Sequence, residues 1–182
     1  MRKEASRAME WLVSGAGFCA GFLLIFWVIH QPPVSPPITY FPPDGREVGL
    51  VLLVDSGCAW SSHPELPPAW EELVAGMRQS SWASDAGVTT IGVARSPDPL
   101  TGWSLLEAIG EFDEVSTGGR YSNAYLRYFE NDFRGPSSTP QVVVIEREFG
   151  KREDGTLHRT SERVVQRHFG IAGIRSAAGR FR

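Results

Sequence analysis

The feature that most constrains this chain is an uncharged stretch near its start. Residues 11–29, WLVSGAGFCAGFLLIFWVI, contain no Asp, Glu, Lys or Arg. As an α-helix rising about 1.5 Å per residue, this stretch would be roughly 28 Å long, which is close to the thickness of the hydrocarbon core of a bilayer. The sequence therefore predicts a single transmembrane helix over residues 11–30.

The charges that flank this stretch predict its orientation. Arg2, Lys3 and Arg7 precede it, and the next Lys or Arg is Arg46. Because basic residues favour the cytoplasmic side, we expect residues 1–10 in the cytoplasm and the rest of the chain outside it. In a bacterium this corresponds to the inner membrane and the periplasm.

A cleaved signal peptide is the competing interpretation of the same stretch. Cleavage needs a small-x-small site just after the apolar run, and this run ends in the sequence VIHQPP. We therefore expect an uncleaved anchor that contacts the lipid bilayer through residues 11–30. Gly17 and Gly21 are four residues apart, a spacing that predicts a helix-packing face.

Composition constrains the part of the chain beyond the anchor. Residues 31–45 are proline-rich and predict an extended linker. The whole chain has 182 residues, a net charge of −3 and 42% hydrophobic residues, which fits one globular domain over residues 46–173. Its two cysteines, Cys19 and Cys58, exclude a disulfide-stapled fold, and the near-neutral charge gives no case for nucleic-acid binding.

Apolar patterning within residues 46–173 predicts alternating strands and helices. The predicted strands are Val48–Val54, Val88–Ala94, Gln141–Ile145 and, after a turn at Lys151–Gly155, Thr156–Thr160. The first predicted helix starts near Pro67 and Pro68 and runs through Met77. Three more are predicted over Thr101–Phe112, Ser122–Asn131 and Glu162–Phe169. This order predicts an α/β fold built as a three-layer sandwich.

The same order carries a resemblance. A buried strand, a loop with a cysteine, a helix, and later Thr139–Pro140 before an apolar strand and hairpin resemble the thioredoxin-like fold, over about Val48–Phe169. In that family the proline after the threonine is usually cis and lies against the active cysteine. The resemblance therefore implies that Thr139 and Pro140 form a binding loop next to Cys58.

One departure from the family pattern limits the chemistry. The family's redox centre is Cys-x-x-Cys, whereas here Ser61 stands where the second cysteine would be. A dithiol is needed because one thiolate attacks and its neighbour resolves the mixed disulfide, so thioredoxin-style turnover is excluded for the chain alone. Two alternatives remain for Cys58: an inert thiol, or a reactive monothiol with His63 as its base.

Other chemistries have weaker signals. Pro64, Pro67 and Pro68 place the helix start several residues after Cys58, which weakens any helix-dipole effect on its thiol. One cysteine and scattered histidines lack the spacing of metal ligands, so we expect neither a metal nor another cofactor. Gly118 and Gly119 do not form a glycine-rich phosphate loop.

The last residues suggest a partner. Residues 174–182 are basic and rich in small residues, and we expect a disordered tail. Arg175, Arg180 and Arg182 would neutralise an acidic surface of a partner, and Phe181 would fill a pocket in it.

The principal hypothesis from the sequence is a non-catalytic accessory subunit of a membrane protein complex, with photosynthetic or respiratory assemblies as candidate hosts. Under this hypothesis, an enzymatic role is the less favoured interpretation. The alternative is a membrane-tethered monothiol thiol-disulfide oxidoreductase that uses Cys58.

Overall fold

The computed structural model describes residues 45–119, 122–126 and 138–181. The predicted transmembrane helix, with Gly17 and Gly21, the predicted linker up to residue 44, and Arg182 all lie outside these residues. Within them, no helix combines the length and the apolar character needed to cross a bilayer.

The described strands form one mixed sheet. They are β1 (Gly45–Asp55), β2 (Gly87–Arg95), β3 (Glu114–Gly118), β4 (Gln141–Lys151) and β5 (Leu157–Phe169). Their spatial order is β3–β2–β1–β4–β5. β1 pairs in parallel with β2, as β2 does with β3, whereas β4 pairs antiparallel with both β1 and β5.

Three helices accompany the sheet in the described ranges: α1 (Leu66–Gln79), α2 (Pro99–Ile109) and α3 (Gly170–Arg180). A short 3-10 helix, Ser81–Ala83, follows α1. α1 tolerates Pro67 and Pro68 because they occupy its first turn, where a backbone N–H has no partner within the helix. α2 is capped by Asp98, the residue before its first turn, whose carboxylate accepts the N–H groups of Leu100 and Thr101.

The central strand explains the apolar run of the sequence. On one face of β1, Leu50 and Leu52 are fully buried in a core shared with all three helices. On the other face, Val51 and Leu53 pack in a second core with Leu126. A strand buried on both faces loses the usual alternation of polar and apolar residues.

Most predicted elements are confirmed with small changes in length. Of the four predicted strands, those at 48–54, 88–94 and 141–145 lie within β1, β2 and β4, and the one at 156–160 corresponds to the start of β5. The helices predicted over 67–77 and 101–112 correspond to α1 and α2. Of the helix predicted over 122–131, the described residues show a helical turn at 124–126, and the rest of the prediction lies outside them.

The prediction of a helix over Glu162–Phe169 is wrong. These residues continue β5, which pairs along its length with β4. Arg, Glu and Gln favour a helix locally, but pairing with the backbone of β4 outweighs that weak preference.

The prediction of a disordered tail is also wrong. Residues 170–180 form α3, in which Ile174, Ala177 and Ala178 are fully buried. Their spacing places them on one face of a helix, and that face belongs to the core that contains α1. Gly170 begins α3 with a φ of 65°, a left-handed backbone that favours glycine.

Candidate functional site

Cys58 lies in the loop between β1 and α1, at the carboxyl end of β1. The loop is folded by its own backbone: the N–H of Cys58 donates to the carbonyl of Asp55 at 3.0 Å, and the N–H of Ser61 donates to the carbonyl of Cys58 at 2.9 Å. The N–H of Ser56 donates to the carbonyl of Arg95 at 3.0 Å. These bonds fix the loop on the ends of β1 and β2.

The Thr139–Pro140 segment reaches the same edge of the sheet because β4 runs antiparallel to β1. The Thr139–Pro140 bond is cis, as the resemblance implied. The thiol of Cys58 donates to the carbonyl of Thr139, with 3.3 Å between sulfur and oxygen. On the far side, the N–H of Gly170 donates to the carbonyl of Pro140 at 2.8 Å, which connects the start of α3 to this segment.

The surroundings of the thiol favour its ionised form. Burial alone would raise the pKa of Cys58, but hydrogen bonds to the sulfur lower it by more than burial raises it. These hydrogen bonds come from the side chain of Thr139, the backbone N–H groups of Ser61 and Trp60, and the hydroxyl of Ser61. The net result is a pKa below the ordinary value of a cysteine. Thiolate is the nucleophilic form of a cysteine, so these donors favour the more reactive form of this side chain.

Ser61 is part of the loop's framework. Its side chain is buried, and its hydroxyl oxygen accepts the N–H of Asp55 at 3.1 Å. It occupies the position of the second cysteine in the family motif. Among the described residues Cys58 is the one cysteine, so this part of the chain contains no dithiol.

His63 is held by two contacts within the same loop. Its ring stacks on Trp60 with 5.3 Å between ring centroids, and its Nδ1 accepts the N–H of Glu65 at 3.2 Å. Its Nδ1 is thereby engaged with the backbone of the loop, while the thiol of Cys58 donates to Thr139 instead. These contacts place the ring of His63 against Trp60.

An ion pair that the sequence analysis missed supports the base of the loop. Arg95, the last residue of β2, donates from Nε to Asp55 Oδ2 at 2.6 Å. The other carboxylate oxygen of Asp55 accepts the N–H of Gly57 at 2.8 Å. The position of Asp55, directly after the apolar run Val48–Val54, is the sequence signal that could have identified it.

Two of the predicted partner-binding residues at the end of the chain contact other parts of the domain. Phe181 stacks on Trp82 with 5.8 Å between centroids. Arg175 donates to Glu65 at 3.1 Å, and both side chains are about half exposed. Arg180 is the last residue of α3.

A second polar cluster lies away from the thiol and is buried. Arg147 on β4 contacts Glu162 at 2.8 Å, Glu114 at 3.0 Å and the hydroxyl of Tyr125 at 3.0 Å, and lies 3.6 Å from the buried carboxylate of Glu47. Burial works to lower the pKa of Arg147, but Tyr125, Glu114 and Glu162 raise it above its ordinary value. Burial, together with Glu114, raises the pKa of Tyr125 to about 12, against the opposing effect of Arg147. All of these groups are engaged with one another.

The part of the chain that the structure describes gives little support for a metal site. No three His, Cys, Asp or Glu side chains there are grouped so that they could hold a metal ion.

Sheet order and site together define a class of protein. A cysteine follows the central strand, and a cis Thr–Pro bond faces it from the start of an antiparallel strand that leads into a hairpin and a final helix. This is a thioredoxin-like domain, and its described part carries a single thiol in place of the usual pair.

Comparison with known proteins gives remote similarities. No protein-family model matches the chain, and no curated protein does. The thioredoxin domain of a thiol-disulfide oxidoreductase from Bacteroides vulgatus aligns with a TM-score of 0.45 and 13% identity, over 74% of this chain and 79% of that one. A thiol-disulfide isomerase from Corynebacterium glutamicum aligns with a TM-score of 0.36 and 16% identity, over 78% and 79%.

Copper-bound ScoI from Arabidopsis thaliana aligns with a TM-score of 0.33 and 10% identity, over 74% of this chain and 83% of that one. At these identities and scores the likeness assigns neither an activity nor a ligand to this chain.

Proposed function

We propose that this protein is a monothiol thiol-disulfide exchange protein in which Cys58 is the nucleophile. The observation that carries the proposal is the position of this thiol, which is partly exposed, has a lowered pKa and lies against the cis Thr139–Pro140 bond. Its two neighbours, Gly57 and Ala59, are small and exposed, so no bulky adjacent side chain covers the sulfur.

The exchange has two steps that balance in atoms and electrons. In the first, the Cys58 thiolate attacks one sulfur of a substrate disulfide, a new disulfide forms between Cys58 and that half of the substrate, and the other half leaves as a thiolate that takes a proton from solvent. In the second, an external thiol attacks the mixed disulfide as its thiolate. It forms a disulfide with the substrate half and releases the Cys58 thiolate.

The serine at position 61 is the reason why this exchange needs an external thiol. A second cysteine at this position would attack the mixed disulfide from within the loop, and a hydroxyl does not perform that reaction. The mixed disulfide therefore persists until a second thiol arrives, which suits an exchange carrier better than a catalyst of repeated dithiol oxidation.

Membrane attachment remains part of the proposal. The uncharged stretch over 11–30 and the basic residues before it support a domain held outside the cytoplasm. The accessory-subunit hypothesis loses one of its supports, because Phe181 and Arg175 contact Trp82 and Glu65 of the same domain. Co-purification of partners with the full chain from detergent-solubilised membranes would restore it.

The test uses the full chain with Cys19→Ser, so that Cys58 is its only thiol. The rate of alkylation by iodoacetamide is measured against pH, and mixed-disulfide formation with hydroxyethyl 2-pyridyl disulfide is followed by mass and by release of pyridine-2-thione. We expect half-maximal alkylation below about pH 8.5, and a mixed disulfide that an added monothiol removes.

Ser61→Cys in the same background is the matched gain-of-function variant. It should release the mixed disulfide without any added thiol and form a disulfide between residues 58 and 61. An unreactive Cys58, or a midpoint above that of an ordinary cysteine, would overturn the proposed function.

A further inference from the structure

The largest exposed aromatic surface near the thiol belongs to Trp60, two residues after Cys58. Its side chain is 61% exposed. In the sequence it lies between Cys58 and Ser61. An exposed indole at the reactive loop calls for an explanation, because burying it elsewhere would be favourable.

Trp60 is also held in place. Its ring stacks on His63, the ring of His63 is fixed by the N–H of Glu65, and the carbonyl of Trp60 accepts the N–H of His63 at 3.4 Å. A ring that is already ordered loses little conformational entropy when another group packs on it. Trp60 is therefore pre-organised as a contact surface.

Among the described residues, two arginines that contact the loop or the residues after it are already paired. Arg95 is bound to Asp55, and Arg175 is bound to Glu65. A substrate carboxylate that approached either arginine would compete with an existing ion pair. The loop consequently offers an apolar surface to a substrate more readily than it offers a cationic one.

We infer that Trp60 is a specificity-determining residue, which receives an apolar side chain next to the disulfide of a polypeptide substrate. This inference rests on the proposed exchange function of Cys58 and names its substrate class: peptide disulfides with apolar neighbours. Acidic small disulfides, such as oxidised glutathione, are disfavoured.

The experiment uses the full chain with Cys19→Ser and three activated disulfides. Two are acetyl-Leu-Cys-Leu-amide and acetyl-Glu-Cys-Glu-amide, each joined to 2-thiopyridine, and the third is hydroxyethyl 2-pyridyl disulfide. The Cys58 thiolate attacks the peptide or hydroxyethyl sulfur and releases pyridine-2-thione, whose absorbance gives the rate. Salt at about 0.5 M screens long-range charge effects.

The leucine probe should react about fivefold faster than the glutamate probe, as expected when part of a leucine side chain is buried. Trp60→Ser should remove this preference, so that the leucine and glutamate probes react at equal rates. His63→Ala, which frees the ring of Trp60, should reduce the preference in part.

Trp103→Ser is the matched control, because Trp103 is 53% exposed on α2, outside the Cys58 loop; it should change none of the rates. Equal rates for the two peptide probes, or an equal slowing of all three by Trp60→Ser, would overturn the role of Trp60 and leave the proposed function intact. Failure of the hydroxyethyl probe to react with Cys58 would overturn the proposed function itself.

Discussion

The Cys58 loop and the buried cluster around Arg147 handle polar groups in opposite ways. The loop binds its thiol through backbone N–H groups and single hydroxyls, and leaves Cys58 and Trp60 accessible. Around Arg147, by contrast, buried charges are paired on several sides. Charged side chains by themselves therefore do not distinguish the proposed site from the rest of the domain, whereas the accessibility of the thiol does.

Cys58→Ser should produce the largest effect, a complete loss of exchange, because a hydroxyl at this position is not ionised and does not attack a disulfide. Release of pyridine-2-thione from hydroxyethyl 2-pyridyl disulfide measures it. Cys19→Ser is the control and should keep the full rate of Cys58. Residual exchange of the Cys58→Ser, Cys19→Ser double variant would place the activity at another group.

Arg147→Ala should lower the free energy of unfolding by about 3–5 kcal/mol, since the buried carboxylate of Glu47 would lose the arginine that faces it and Glu162 would be left with its contact to the half-exposed Arg159. Urea unfolding followed by tryptophan fluorescence measures this change. The rate at which Cys58 is alkylated in the folded protein should stay the same, because the cluster does not contact the thiol.

Arg159→Ala is the matched control for that change. Arg159 also binds Glu162, but its side chain is 49% exposed, so we expect a loss of less than about 1 kcal/mol. Equal losses for the two arginines would contradict the contrast between buried and exposed charges.

Ser61→Ala should have a smaller effect, confined to the loop. Removing the hydroxyl takes one donor from the thiolate, so the pKa of Cys58 should rise towards its ordinary value and alkylation at pH 7 should slow about threefold. At pH 10 the thiol is ionised in both proteins and the rates should converge. Ser62→Ala, at the next and exposed position, should leave the pH profile unchanged.

Arg175→Ala should have the smallest effect, a loss of at most about 1 kcal/mol, because its pair with Glu65 is open to solvent. A double-mutant cycle with Glu65→Gln, measured by urea unfolding, isolates the pair. A coupling energy that persists in 1 M salt would show that this contact is stronger than an exposed ion pair.

The sequence predicted the edge of the sheet that carries Cys58 better than it predicted the buried cluster around Arg147. Val48–Val54 is apolar without interruption, which indicated a strand buried on both faces, and the structure has it at the centre of the sheet. The position of Thr139–Pro140 relative to Cys58 came from the resemblance and is confirmed by the cis bond and the 3.3 Å contact. The Arg147 cluster was not predicted, because its members lie on separate segments that only pairing of the strands brings together.

The sequence itself thus determined the features that depend on a few neighbouring residues. These are the buried central strand, the start of α1 at a pair of prolines, and the absence of a second thiol at Ser61. The tertiary structure decided the remainder. Glu162–Phe169 became part of a strand because β4 offers its backbone for pairing, and residues 170–180 became a helix because Ile174 and its neighbours pack into the core that contains α1. Both outcomes depend on groups distant in sequence, and the free energy of such contacts exceeds the small local preferences that sequence patterns measure.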